Sequence, residues 1–174
     1  MFTKLVLFSK KYMPWVYKPI RAFIFPMYLK FFRNKKLSSF TEKVLYNFKF
    51  SGISFKIWLN PENGFVDQEI FTAGVYEPEV LMMYKEYLKP GQTYVDIGAN
   101  IGQHALYAAA LVGSFGKVVA YEPIKSLFAQ LSNSKFQNNF TNMELVNKAI
   151  GQTPGEAQIH INVKNNRYFV EEIF

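Results

Sequence analysis

Apolar positions change their spacing along the chain, and each spacing predicts a kind of element. Between Tyr46 and Leu59, and again between Gly64 and Phe71, apolar and polar residues alternate. The two stretches are split by Asn60-Pro61-Glu62-Asn63-Gly64. A period of two broken by turn residues predicts antiparallel strands. From Pro78 to Leu88 the spacing becomes that of a helix, with Val80, Leu81, Met83, Tyr84, Tyr87 and Leu88 on one stripe and Pro78 in the first turn, where proline is tolerated. Lys89-Pro90-Gly91 ends that helix and turns the chain.

Short apolar runs then alternate with longer ones. Thr93 to Gly98 reads as a buried strand ending in a carboxylate and a glycine, Ala99-Asn100-Ile101-Gly102 as a tight turn, and Gln103 to Val112 as an alanine-rich helix. Lys117 to Glu122 reads as a second strand ending in a carboxylate, about Ile124 to Asn138 as a helix, Met143 to Asn147 as a third strand, and Glu156 to Val163 as one more. This alternation predicts an α/β fold: right-handed βαβ crossovers and a parallel central sheet covered by helices on both faces, preceded by an antiparallel β-hairpin.

Charge divides the 174-residue chain. Residues 1–41 carry nine basic side chains (Lys4, Lys10, Lys11, Lys18, Arg21, Lys30, Arg33, Lys35 and Lys36) and no acidic one, whereas the rest is nearly balanced, so the formal net charge of +7 belongs to the leader. The expected division is a basic aromatic leader, 1–41, and a globular unit, 42–174. The longest uncharged run in the middle of the leader, Ala22–Leu29, is far short of the roughly 20 residues needed to span a bilayer. A cleavable signal peptide is a poor fit, because the apolar stretch Leu5–Phe8 is too short for its hydrophobic region and no small-x-small cleavage site follows. Pro14, Pro19 and Pro26 cut any helix into short pieces carrying Trp15, Tyr17, Phe23, Phe25, Tyr28, Phe31 and Phe32 among the cations. Such segments either pack on the domain with lysines in water or lie on an anionic membrane surface through residues 1–36. The second alternative places the chain in the cytoplasm, peripheral to the inner membrane face. Nucleic acid is not an expected partner, because no motif for it accompanies the charge. With no cysteine and two histidines, a thiolate metal site, a disulfide and a cysteine nucleophile are excluded, and no metal is expected.

The chemistry is expected at the carboxyl ends of the first two parallel strands, where open α/β sheets bind ligands. Gly98 and Gly102 let backbone come close to a ligand, and Asn100 suits a left-handed turn position. Glu122, at the end of the second strand, offers only acceptors and so matches the two donors of a ribose diol. A dinucleotide site would want a G-x-G-x-x-G triad for a pyrophosphate. Here the string is D-I-G-A-N-I-G, and Asp96 is a poor neighbour for phosphate and a good one for an aminium. S-adenosylmethionine carries an aminium and no phosphate. It is therefore the expected cofactor, with a nicotinamide dinucleotide as the alternative.

Val95–Gly102 (V-D-I-G-A-N-I-G), Val118–Pro123 (V-V-A-Y-E-P) and Leu145–Gly151 (L-V-N-K-A-I-G), preceded by Gly74–Glu79 and Lys89–Gly91, closely resemble the FkbM-type S-adenosylmethionine-dependent methyltransferases over about residues 50 to 160. The resemblance implies a Rossmann-like methyltransferase sheet. It implies that Asp96, Gly98, Ala99, Asn100 and Gly102 line the methionine side of the cofactor and that Glu122 binds the ribose. Ala149 would approach the adenine, and Glu77 would point at the same pocket or serve as a charge at a helix N-terminus. It further implies methyl transfer to an oxygen of a glycan, lipid-linked sugar or secondary metabolite. The family pattern continues past these motifs, with later strands that build the acceptor side. The chain is therefore expected to be a truncated, cofactor-binding half with an open hydrophobic sheet edge prone to association. A non-catalytic remnant or membrane-surface module is the competing reading. His104, just inside the helix after the loop, is either a general base or a half-buried helical histidine. No catalytic residue is named.

Overall fold

A computed structural model describes residues 43–61, 64–153, 155, 158–162 and 167–171, and the expectations for the leader 1–41 fall outside them. Strands β1 (Val44–Phe50) and β2 (Ile53–Leu59) form an antiparallel hairpin in continuous register, from Val44↔Leu59 to Phe50↔Ile53. Its two-residue turn, Ser51-Gly52, has φ values of 49° and 89°. Both are positive, as in the primed turns whose twist matches that of paired strands. One alternating run is thus the whole hairpin.

The stretch expected as the second strand, Gly64–Phe71, is helical instead: α1 spans Phe65–Ala73 and ends at Gly74, whose φ of 88° is the left-handed stop that glycine allows. Ile70 and Phe71 are buried in α1 while Phe65 is half exposed, so the apolar positions fit a helix stripe as well as they fit alternation. Asp67, 2% exposed, decides the matter. Its carboxylate accepts hydrogen bonds from the Asn60 backbone N–H and from Gln130 Nε2 (2.6 Å), contacts that only a turn of helix after Asn60 brings together.

Helix α2 (Pro78–Tyr87) leads to β3 (Thr93–Ile97), α3 (Gln103–Val112), β4 (Lys117–Tyr121), α4 (Lys125–Gln137) and β5 (Met143–Val146). The three strands form a parallel sheet in the order β3-β4-β5, with Asp96 beside Ala120 and Ala120 beside Leu145. Two crossovers running in one direction put both helices on one face. Accordingly α3 packs on β3 and β4, α4 packs on β5, and both pack against β2 on their far side. The layers are hairpin, helices, sheet, with Ile57, Leu59, Leu81, Leu106, Tyr107, Val118 and Leu131 fully buried among them. Beyond the sheet, β6 (Gln158–Asn162) and β7 (Arg167–Glu171) pair as a second antiparallel hairpin. The first was expected as a lone strand.

Among the described residues only one face carries helices. Val95 and Ile97, pointing away from α3, are 51% and 64% exposed, and among the described residues β3 pairs only with β4.

The free edge of β2 is closed by side chains of α4. Trp58 N–H donates to Ser134 Oγ (3.0 Å), Gln130 Nε2 donates to the Trp58 carbonyl (2.8 Å), and Asn138 exchanges a donor and an acceptor with the Lys56 backbone (2.7 and 2.6 Å). Gln130, Ser134 and Asn138 lie four residues apart, one stripe of the helix. An exposed strand edge is a template for pairing, and this stripe occupies it.

Candidate functional site

Both strand-end carboxylates lie where β3 and β4 finish. The loop after β3 folds back on β4: the N–H groups of Gly98 and Ala99 both donate to the Tyr121 carbonyl at 2.9 Å, and Gly102 N–H donates to the Ala99 carbonyl at 2.9 Å. Three positions in this turn are left-handed, Gly98 (φ 79°), Asn100 (φ 55°) and Gly102 (φ 91°). Asn100 tolerates that conformation because its short side chain bonds locally, here with Oδ1 accepting the Ile101 N–H at 2.8 Å.

The two glycines are needed for different reasons. A Cβ on Gly102 would collide with the Leu131 side chain, so its missing side chain lets α4 approach. A Cβ on Gly98 would meet nothing within 4 Å, so at Gly98 the backbone borders open space that a ligand can enter.

Glu122 follows β4 and is 3% exposed. Its Oε2 accepts the Asn100 N–H and its Oε1 the Ile124 N–H, each at 2.8 Å. The carboxylate is therefore locked between the loop after β3 and the start of α4. Its own backbone joins β5 through Val146, and Asn147 Nδ2 donates to the Glu122 carbonyl at 2.7 Å. A carboxylate oxygen has two lone pairs, so one on each oxygen remains for a further donor.

Asp96 points to the helix side of β3. Burial, and then the charge of Glu122, push its carboxyl up to about 6, against a hydrogen bond from the Ala105 N–H that pulls it down. Its Oδ2 is buried and has no hydrogen-bond partner. A buried acceptor without a donor is uncommon and costs stability.

Glu77 caps the start of α2 in a left-handed conformation (φ 47°) with no capping hydrogen bond from its side chain. The carboxylate instead lies 3.8 Å from His104 Nε2. His104 is half-buried, as one of its two expected readings has it. Its ring stacks near Tyr76 and meets the edge of Tyr84, with centroids 6.1 and 5.7 Å away. Burial lowers its pKa, opposed by Glu77, so the imidazole is neutral at pH 7. Ala149 is exposed in the segment after β5, two residues beyond the Asn147 that ties this segment to Glu122.

Several contributors were not picked out from sequence. Gln103, 2% exposed, pairs with both backbone groups of Tyr76: its Oε1 accepts the N–H at 2.8 Å and its Nε2 donates to the carbonyl at 2.7 Å. It thereby fastens the Tyr76-Glu77 junction to the first turn of α3. Tyr84 and Tyr94 share a hydroxyl–hydroxyl hydrogen bond of 2.6 Å beside His104. No sequence signal announces these, because each depends on a partner brought from another element.

Asp96, Asn100 and Glu122 are thus joined by the loop, while Glu77 and His104 form a neighbouring pair with Tyr76 and Tyr84. Among the described residues there is no group of histidine and carboxylate side chains arranged to hold a metal.

Residues 96–173 match the methyltransferase FkbM domain. No curated protein matches. Similar solved structures include a SAM-dependent methyltransferase from Aquifex aeolicus (24% identity over 45% of this chain and 42% of that one, TM-score 0.39). P. horikoshii TYW2 in complex with MeSAdo (23%, 67% and 40%, TM-score 0.43) is another, as is a SAM-dependent O-methyltransferase from Thermotoga maritima (21%, 62% and 40%, TM-score 0.40). The chain spans about four tenths of the length of each. Over residues 96–173 the chain is similar to the methyltransferase FkbM domain.

Proposed function

We propose that this chain binds S-adenosylmethionine and serves in methyl transfer to an oxygen of a glycan, a lipid-linked sugar or a secondary metabolite. The observation that carries the reading is the juxtaposition at the ends of β3 and β4. Glu122 is fixed by two N–H donors with acceptor capacity left over, and across the loop from it lies a buried Asp96 oxygen with no donor of its own. The residues present fit the cofactor. Glu122 would take the ribose hydroxyls, Asp96 the aminium, and the open side of Gly98 the close approach of the ligand. Ala99, Asn100 and Gly102 complete the loop, Ala149 would approach the adenine, and Glu77 would point at the same pocket. When bound, the cofactor supplies an activated methyl on its sulfonium.

The chain's own contribution is binding and orientation. Two strand ends and a loop cross-bonded to both hold the carboxylates before any ligand arrives, so little ordering cost remains at the moment of binding. A pyrophosphate would meet two carboxylates here, which disfavours a dinucleotide.

Titration of the full chain with S-adenosylmethionine, followed by thermal melting, tests the reading. A ligand that binds only the folded state raises the melting temperature as its concentration passes its Kd. The expected result is a saturable rise with S-adenosylmethionine and none with NADH. The reverse pattern, or no rise with either, overturns it.

We further propose that the basic, aromatic segment 1–36 holds the chain on an anionic membrane surface at the cytoplasmic face, close to a lipid-linked acceptor. Co-sedimentation with vesicles containing a quarter anionic lipid is expected to recover the full chain, and neutral vesicles to leave it in solution. Equal recovery with both sinks this part.

A further inference from the structure

We propose that His104 is itself a cofactor-binding residue. Its Nε2 and Asp96 Oδ2 are both buried and both without a hydrogen-bond partner, and they form the two ends of a subsite for a zwitterionic amino-acid group. The inference rests on the S-adenosylmethionine reading and assigns a role that the loop and strand ends do not supply. Asp96 and Glu122 between them account for an aminium and a ribose. The third polar group of the ligand, its α-carboxylate, needs a donor. The cations of the α2 region are engaged elsewhere: Lys85 Nζ donates to the Ser51 carbonyl at 2.7 Å, and Lys89 Nζ to the Glu86 carbonyl at 2.6 Å. His104 is left.

The imidazole is held in place independently of any ligand. Tyr76 lies against one side and Tyr84 meets it edge-on. Tyr84 in turn bonds Tyr94, two residues before Asp96 on β3, and the Asp96 carboxylate acts electrostatically on both hydroxyls. Gln103 clamps the Tyr76 backbone to the turn that carries His104. At 3.8 Å Glu77 is beyond hydrogen-bond reach of Nε2, yet close enough to favour a proton there. Glu77 and the ligand's carboxylate both oppose the effect of burial on the ring. The arriving ligand therefore favours a proton on His104. Both orphaned atoms are shut off from water in the free chain, so the amino-acid end reaches them only when the side chains over them move.

Two probes separate this role from the cofactor reading itself. S-adenosylhomocysteine carries the amino-acid group, and 5′-methylthioadenosine lacks it while keeping adenosine and sulfur. In calorimetric titrations of the full chain, His104→Ala is expected to weaken S-adenosylhomocysteine about tenfold to a hundredfold, the range for losing one hydrogen bond to a charged group. Methylthioadenosine should change less than about twofold, which also shows that the variant is folded. His104→Gln, whose amide can still donate, should recover most of the lost affinity. Equal weakening of both ligands by H104A, no weakening of either, or no recovery with H104Q overturns the proposal. A wild-type chain that binds neither probe refutes the cofactor reading, and this inference with it.

Discussion

Replacing Glu122 with alanine is expected to lower the affinity for S-adenosylmethionine by at least a hundredfold and to destabilise the free chain as well. The two effects have separate origins. In the empty protein the carboxylate accepts one N–H on each oxygen, from Asn100 and from Ile124. Removing it strands both donors, at about 1–3 kcal/mol each when they stay buried. A urea melt should show a lower midpoint with an unchanged slope, the signature of lost stability without a change in the surface exposed. The binding loss comes from the remaining lone pairs. Two ribose hydroxyls donating to a charged acceptor contribute roughly 1.5–3 kcal/mol each. Losing both therefore exceeds the roughly 2.8 kcal/mol of a hundredfold change. A third effect follows at a distance: Glu122 is one of the two causes that push the Asp96 carboxyl up, so Asp96 should titrate lower in the variant. If E122A is folded at the assay temperature and binds the cofactor as tightly as the parent chain, Glu122 does not hold the ribose.

What the chain's pattern discloses, and what it hides, follows from how local each cause is. Helix α3 is bounded by Gly102 and Gly113, and β3 and β4 end in a carboxylate after an unbroken apolar run. Those signals sit within a few residues of the feature, and the expected boundaries agree with the structure to within a residue. The loop glycines and Asn100 are equally local, since a left-handed turn selects its residue type directly.

The misreadings lie where a distant partner decides. Ser51-Gly52 is a weak turn signal beside Asn60–Gly64, so the hairpin was expected one segment too late. The stretch 64–71 satisfies a period of two by chance of length. What makes it helical is Asp67 reaching Asn60 and Gln130, and Gln130 is 63 residues away. The face that α3 and α4 take is a consequence of topology, because strand order and crossover direction leave no trace in hydropathy. At the site, the glycine turn and both carboxylates were legible. Gln103 and the Tyr84–Tyr94 pair were not, because a glutamine bonded to the backbone of another element looks like any surface glutamine in sequence.

Asp96→Asn should make the empty protein more stable near neutral pH while it weakens the cofactor, and the sign can be worked out. The Asp96 carboxyl titrates near 6 in the folded chain, raised first by burial and second by Glu122, against 3.8 for the ordinary group. Between those values the folded state binds more protons than the unfolded one, so stability falls as pH rises through this window. Above about 6 the carboxylate is charged in both states. The penalty is then complete, about 3 kcal/mol at 1.36 kcal/mol per pKa unit. The asparagine removes that charge, keeps an oxygen for the Ala105 N–H, and gives part of the gain back because its amide replaces the orphaned oxygen with an orphaned donor. A net gain of about 1–2 kcal/mol is expected at pH 7.5, several degrees in melting temperature for a chain of this size. At pH 4, where the wild-type carboxyl is already protonated in the fold, the gain should vanish. Cofactor binding moves the opposite way. An aminium placed against Asp96 offsets the cost of the buried charge, and removing one partner of such a pair costs about 2–5 kcal/mol, at least roughly thirtyfold in affinity. The wild-type chain should likewise bind S-adenosylmethionine less well as pH drops below 6. Melting curves of wild type and D96N at pH 4, 6 and 7.5, with and without ligand, test both halves. A variant that is less stable at pH 7.5, or one that keeps its full affinity, would show that the orphaned carboxylate is not a seat for the cofactor's positive charge.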